Sequence, residues 1–237
     1  MTRWLFWIVW EWTLIGAALW SISLSPWMLP LAMIVIGSRQ HALGVLGHEA
    51  VHRAIGGIPL RWSDRIGNAL CMWPILSDVA TYRRWHLEHH ANLGTDRDPE
   101  RAQRALFQQW YADLTHARRA RILAADAVGL HAVEPLSVLR IIMGPWSKAR
   151  VAHAIVLVAG LSVFGPVAFV AFFVALFSTF WASMRWRIWH EHLGPDVTLD
   201  YRATWWQRAL FVPHYIWRHV DHHRPGRWAV SCWELKG

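Results

Sequence analysis

Tyr82-Arg83-Arg84-Trp85-His86-Leu87-Glu88-His89-His90 is the stretch on which the reading of this chain turns, and it runs on through Thr95-Asp96-Arg97-Asp98-Pro99-Glu100. On a helix of 3.6 residues per turn, positions 86, 89 and 90 stand at i, i+3 and i+4. Three imidazoles then leave one face within a single turn, a metal-binding surface in miniature. The spacing returns at His219-Val220-Asp221-His222-His223, and a simpler pair stands at His48 and His52. One such cluster carries little weight in a chain with 15 histidines. Three on helical spacing carry a great deal.

Outside the boxes, 237 residues suggest one domain, 1–237, large enough to bury a core. The hydrophobic fraction of 54% and mean hydropathy of +0.18 are high for a soluble globule, and the apolar residues gather in runs, which points to a membrane protein. A net charge of +8 would suit nucleic acid, yet the arginines crowd between the histidine boxes while the apolar runs carry few or none. That asymmetry fits the positive-inside rule and anionic headgroups, and argues against a nucleic-acid partner. Cys71 and Cys232 match no CxxC or zinc-ribbon spacing and read as small buried thiols.

Trp4 to Trp20 is apolar apart from Glu11 and Thr13, and no small-x-small cleavage site follows it, so it is expected to be a retained span rather than a signal peptide. Glu11 is costly there unless it faces protein or lies near the interface, and the interfacial placement is the simpler expectation. A second run, Ile22 to Ile36, contains Pro26 and Pro30, with Arg39 after it to reach the headgroups. The helical pattern continues through His48 and His52 until Gly56-Gly57 and Pro59 end it. Residues 58–80 suit a segment lying along the membrane surface. Ala105 to Ala124 reads as a basic amphipathic helix, with Leu106, Phe107, Trp110 and Leu114 on one side and Arg118, Arg119 and Arg121 following.

Val151 to Met184 is an apolar run too long for one span: as a single helix it would reach about 50 Å against a hydrocarbon core of about 30 Å. Gly165-Pro166 divides it, and the tail after Met184 is expected to fold back over the boxes. The fold class is therefore an all-α membrane protein of about four transmembrane helices in two hairpins. Both interspan turns are uncharged, which puts the termini, the central loop and a histidine-rich helical cap on the arginine-rich side, expected to be the cytoplasmic face of the inner membrane.

Neutral imidazole binds Zn, Cu, Fe or Ni. His48, His52, His86, His89, His90, His219, His222 and His223 are more ligands than one centre uses, so two ions are expected, with His190 and His192 as further candidates. His41, His116, His131 and His153 read as ordinary surface or core histidines. Two rival classes exist. His48-Glu49-Ala50-Val51-His52 is formally H-E-x-x-H, the pattern of a zinc protease with Glu49 as general base, but that reading leaves both HxxHH boxes without a purpose. A non-catalytic protein that stores, senses or transports metal would more often place its site within the spans.

The three boxes, in this order and separated by paired apolar runs, resemble those of the membrane fatty acid desaturase and hydroxylase superfamily, which includes carotenoid ketolases. His48 to His52 is similar to its first box, Arg84 to His90 with Asp98-Pro99 to its second, Glu191-His192 with Gly194 to its solitary ligand histidine, and Pro213-His214 followed by His219 to His223 to its last. The resemblance implies a non-haem diiron centre held by His48, His52, His86, His89, His90, His192, His219, His222 and His223; His190, beside His192, stays a possible ligand from its position alone. Glu49, Glu88, Asp96, Asp98, Glu191, His214 and Asp221 are the expected hydrogen-bonding support for those ligands. Arg224-Pro225-Gly226-Arg227 is more basic than the stretch usual there, and Ile188 stands where some relatives place a water-holding Asn.

The implied reaction uses O2 as co-substrate and two external electrons to attack an unactivated C–H bond. An alkyl C–H offers neither an acidic proton nor an electrophile, so a redox metal is required and zinc could not serve. The expected substrate is a long apolar molecule entering from the bilayer, a fatty acyl group first and a carotenoid next, to be desaturated or hydroxylated. The chain carries no cytochrome, flavin or ferredoxin motif and no dinucleotide fingerprint, so a ferredoxin or cytochrome with its reductase is the expected electron donor. Arg118 to Arg121 offer an acidic carrier a place to dock.

Overall fold

The computed structural model describes residues 1–55, 57–110, 114–192, 198–200 and 202–223, and among these every regular element is helical. Gly56, Gly194, Arg224 to Arg227 and Cys232 lie outside the described residues.

Helices α1 (Thr2–Leu24) and α2 (Leu29–Val51) have 23 residues each, about 35 Å at about 1.5 Å per residue. Pro26 opens the turn between them and Pro30 sits in the first turn of α2, where a missing N–H costs nothing. A second hairpin joins α8 (Lys148–Ser162) to α9 (Pro166–Leu176), with Gly165 at φ +88 and Pro166 beginning α9. Ser23 Oγ donates to the Phe164 carbonyl at 2.6 Å, so the two uncharged turns lie side by side at one end of the bundle.

Thr2–Leu24, Pro26–Val51 and Pro166–Glu191 are long and apolar enough to cross a membrane. The expected fourth helix, α8, has 15 residues, about 22 Å, and does not reach that length. The last of the three does not stop at Met184. After a bend at Phe177-Ser178 it continues as α10 (Thr179–Glu191), so Arg185, Arg187 and His190 stand on a helix and not on a returning tail. The outward sides of α8 and α9 expose Ile155, Val156, Val163 and Val170, a surface suited to lipid because each helix satisfies its own backbone.

α2 is the axis of the bundle, packing on α1, α9 and α10. Glycines let its neighbours approach. A Cβ at Gly37 would meet Thr179 Oγ1 at 2.1 Å and the Phe180 nitrogen at 2.4 Å, and one at Gly47 would meet Met72 Sδ at 2.4 Å. The segment after α3 (Leu60–Gly67), a π turn at Asn68–Met72 and a 3-10 turn at Trp73–Ile75, therefore wedges against α2, burying Cys71 and Met72. Glu11 is 1% exposed and bonded at 2.9 Å to Arg39, itself buried. Glu11 thus faces protein, and Arg39 turns inward rather than out to headgroups: each offsets the other's charge inside the protein.

The cap holds α4 (Val79–Asn92), α5 (Pro99–Arg104), α6 (His116–Ala127), α7 (Val133–Ile142), α11 (Trp205–Leu210) and α12 (His219–His222). Ala105 to Ala124 is not one amphipathic helix. α5 ends at Arg104, a single turn follows at Gln108–Trp110, and Thr115 caps α6. Leu114 and Ile122 pack with Trp189 and the Trp110 indole donates to Glu134, while Leu106 is exposed. Arg185 on α10, fully buried, takes Asp126 of α6 and Glu134 of α7, stapling that half of the cap to the bundle.

Candidate metal centre

Four stretches deliver the histidines. The C-terminal end of α2 presents His48, with His52 as its cap, and the last two turns of α4 present His86, His89 and His90. Asp78 starts α4 by accepting from the Ala80 and Thr81 N–H groups, each at 3.0 Å. Arg83, one turn before His86, sets its register: Nε and Nη2 donate to the Val51 and Ala50 carbonyls at 2.8 and 2.7 Å, while Asp64 holds the guanidinium from the other side. Those carbonyls belong to the last turn of α2, so one cation caps that helix and locks the second box against the first. His192 follows α10, and α12 with its cap supplies His219, His222 and His223. Asp200 accepts from the Val220 N–H at 2.8 Å at the start of that turn.

The imidazole Nε2 atoms converge in two adjoining groups. In the first, His48 to His86 is 2.8 Å, His52 to His48 3.1 Å, His90 to His86 3.1 Å and His90 to His222 3.0 Å. In the second, His219 stands 3.0 Å from His192 and 2.9 Å from His223, and His89 offers a nitrogen within 4.8 Å of His192 and His223. Nitrogens sharing one ion at about 2.1 Å lie about 3.0 Å apart along an octahedral edge. The residues present therefore fit a pair of metal ions, and all nine expected ligand histidines fall in the two groups. His190 does not: it stacks on Trp186 and donates Nδ1–H to the Trp186 carbonyl.

Burial favours the ligand-competent, uncharged form of an imidazole. It holds His90 down to about 2 and lowers His86, His192, His219, His222 and His223 below the usual histidine range. His89 goes the other way. Burial opposes its charge, but Glu100 and Asp98 outweigh it and raise the pKa, and the same two carboxylates favour a metal cation.

Carboxylates stand behind three of the rings. His86 Nδ1 lies 3.0 Å from Glu100, His89 Nδ1 2.8 Å from Asp98, and His219 Nδ1 3.6 Å from Glu191. Each leaves Nε2 directed into the cluster. Asp98 also caps α5 through the Glu100 and Arg101 N–H groups, so its turn and ligand-orienting roles are one arrangement. Glu191 is held by Arg187 at 2.7 and 2.9 Å. Glu49, next to His48 on α2, is buried, and Asp221 is half-buried on α12. Three expected supports stand elsewhere. Glu88 is on the solvent side of α4, Asp96 is exposed beside Arg101, and His214 lies against Glu11, because helix phase and the turn before the last box point them away from the rings.

Glu100, Arg83 and Arg187 were not singled out in the sequence. For Glu100 a signal existed: Asp98-Pro99-Glu100 places an acid on the first turn of a helix returning to the second box. Of the remaining histidines, His41 is buried edge-on to Phe180, His116 is exposed, His131 bonds Asp126 at 2.7 Å and His153 packs on Trp73; none joins a metal-competent group among the described residues.

A cavity of about 120 Å³ adjoins the first group, where His48 and Tyr82 meet apolar walls from Met72, Ile75, Leu139 and Phe180. Tyr82 stacks on His86 with centroids 5.1 Å apart, and burial raises its phenol pKa, so it stays neutral. The space suits an apolar segment brought beside the imidazoles with water excluded. A two-histidine zinc protease would leave seven of the gathered rings unused.

The family model for fatty acid desaturase matches residues 24–236. The chain is 23% identical over 209 residues to an sn-1 oleoyl-lipid 12-desaturase of Anabaena variabilis, covering 81% of this chain and 59% of that protein. It is 31% identical over 82 residues to a dihydrorhizobitoxine desaturase of Bradyrhizobium elkanii, covering 34% of this chain and 23% of that one. The chain thus spans about three fifths of the length of the first relative and about a quarter of the second. No solved structure matches it.

Proposed function

The chain belongs to the fatty acid desaturase family, and on that premise we propose that it is an O2-dependent, non-haem diiron oxidoreductase that removes hydrogen from an unactivated C–H bond of a lipid acyl chain. The observation that carries the proposal is the convergence of nine imidazole nitrogens into two adjoining groups. His48, His52, His86, His90 and His222 would hold one iron and His89, His192, His219 and His223 the other. Bound there, the irons supply the redox capacity that turns O2 and two electrons into an oxidant for an alkyl C–H.

The chain's own residues do the rest. Asp98, Glu100 and Glu191 orient their imidazoles and offset cationic charge. The walls of the cavity beside His48 and Tyr82 hold an apolar chain and keep out water. Desaturation is the first outcome proposed, with hydroxylation second, because both relatives carry the name desaturase. The paired uncharged turns support a four-span arrangement in which α8 is a short fourth span, with the cap cytoplasmic at the inner membrane. Electrons would come from a ferredoxin or cytochrome.

Metal analysis of the purified protein, followed by acyl-chain profiling of cells expressing it, tests this reading. Two irons per chain and new double bonds are expected. Zinc with peptide cleavage dependent on Glu49, or altered pigments with unchanged acyl chains, would overturn it.

A further inference from the structure

We propose that Glu11, on the first membrane helix, is a positioning residue for the last histidine box. This rests on reading the imidazole cluster as a metal centre. Glu11 is 1% exposed and uses both carboxylate oxygens: one lies 2.9 Å from Arg39 Nη1, the other 2.9 Å from His214 Nε2. Neutralising an acid inside a span requires only Arg39. The second contact reaches instead to a turn far along the chain, five residues before His219.

That turn needs holding. His214 and Tyr215 sit at φ +59 and +64, the left-handed region that side-chain-bearing residues rarely occupy and keep only when their surroundings enforce it. The enforcement comes from two sides. Val212 and Ile216, both buried, pack with Val45 of α2, three residues before His48. His214 is gripped from α1 by Glu11 and, edge-on, by Trp7 at 5.3 Å between centroids. The last box is therefore indexed against the two helices of the first hairpin. It supplies His222 to the group of five imidazoles but both His219 and His223 to the group of four, so a loosened turn weakens the second group more.

The test uses the full chain in detergent, titrated anaerobically with Co²⁺ and read by its ligand-field spectrum and by bound metal per chain. In the parent, two ions bind. Glu11→Ala and His214→Ala are each expected to weaken the second ion tenfold or more, with the first ion and the helix content retained. The double variant should be no worse than Glu11→Ala, because both singles break the same Glu11–His214 contact. His214→Gln, which keeps a donor for Glu11, should restore the second ion. Additive effects, or two ions bound as in the parent, would overturn the inference while leaving the metal centre standing; a parent that takes up no metal would remove the metal centre itself. Should Glu11→Ala lose its helix content, His214→Ala against His214→Gln decides alone: rescue supports the inference and its failure overturns it.

Discussion

Glu100 shows how much one side chain settles. Burial opposes its charge, yet His89, the His86 hydrogen bond and Arg104 outweigh that and hold its pKa well below the usual carboxylate range, so it stands as an anion behind two rings. Glu100→Gln keeps the shape and removes the charge. It is expected to lower metal affinity about 10–100-fold with the helices intact, measured by competition against a chelator. Arg83 works by a different means, through the carbonyls at the end of α2. Both residues lie inside the stretch that announced the site, but Glu100 reaches rings on α4 and Arg83 reaches α2 and Asp64 on α3.

At the scale of elements, α2 carries the most. It brings the first box to the cluster at one end and accepts close neighbours along its length through glycine. Gly37 is the tightest point, since its missing Cβ is replaced by the Thr179 side chain and the backbone of Phe180. Gly37→Ala should force α2 and α10 apart and cost about 1–3 kcal/mol or more, seen as a lower thermal midpoint in detergent together with weaker metal retention, because the two helices carry His48 and lead to His192. Gly160→Ala is the control: a Cβ there meets nothing within 4 Å, and no loss is expected.

For the whole molecule, the distribution of charge matters more than its sum of +8. The two hairpin turns are uncharged and adjacent, while the cap is studded with arginines, Arg118 and Arg121 exposed on α6. Arg119 leans over Trp189, three residues before His192 on the helix that leads to the cluster. An acidic electron carrier docking on α6 would be steered there and lie near that helix. Arg118→Glu with Arg121→Glu is therefore expected to slow turnover supported by the protein donor, more strongly at low salt, and to spare turnover driven by a small chemical reductant. Equal rates with both donors would argue against docking at α6.

The sequence by itself determined what is local: imidazoles on helical spacing, apolar runs long enough to span, the break at Gly165-Pro166, and charge segregated from the turns. Periodicity and composition report on such features because each is set within one or two helical turns. Tertiary structure alone decided that Glu11 and Arg39 face inward, that α10 runs on to Glu191, that Ala105 to Ala124 breaks to follow Trp189 and Glu134, and that His214 turns from the rings to α1. Each of these is a buried charge or apolar side chain satisfied by a partner distant in the chain, and no local pattern encodes which partner the fold will bring.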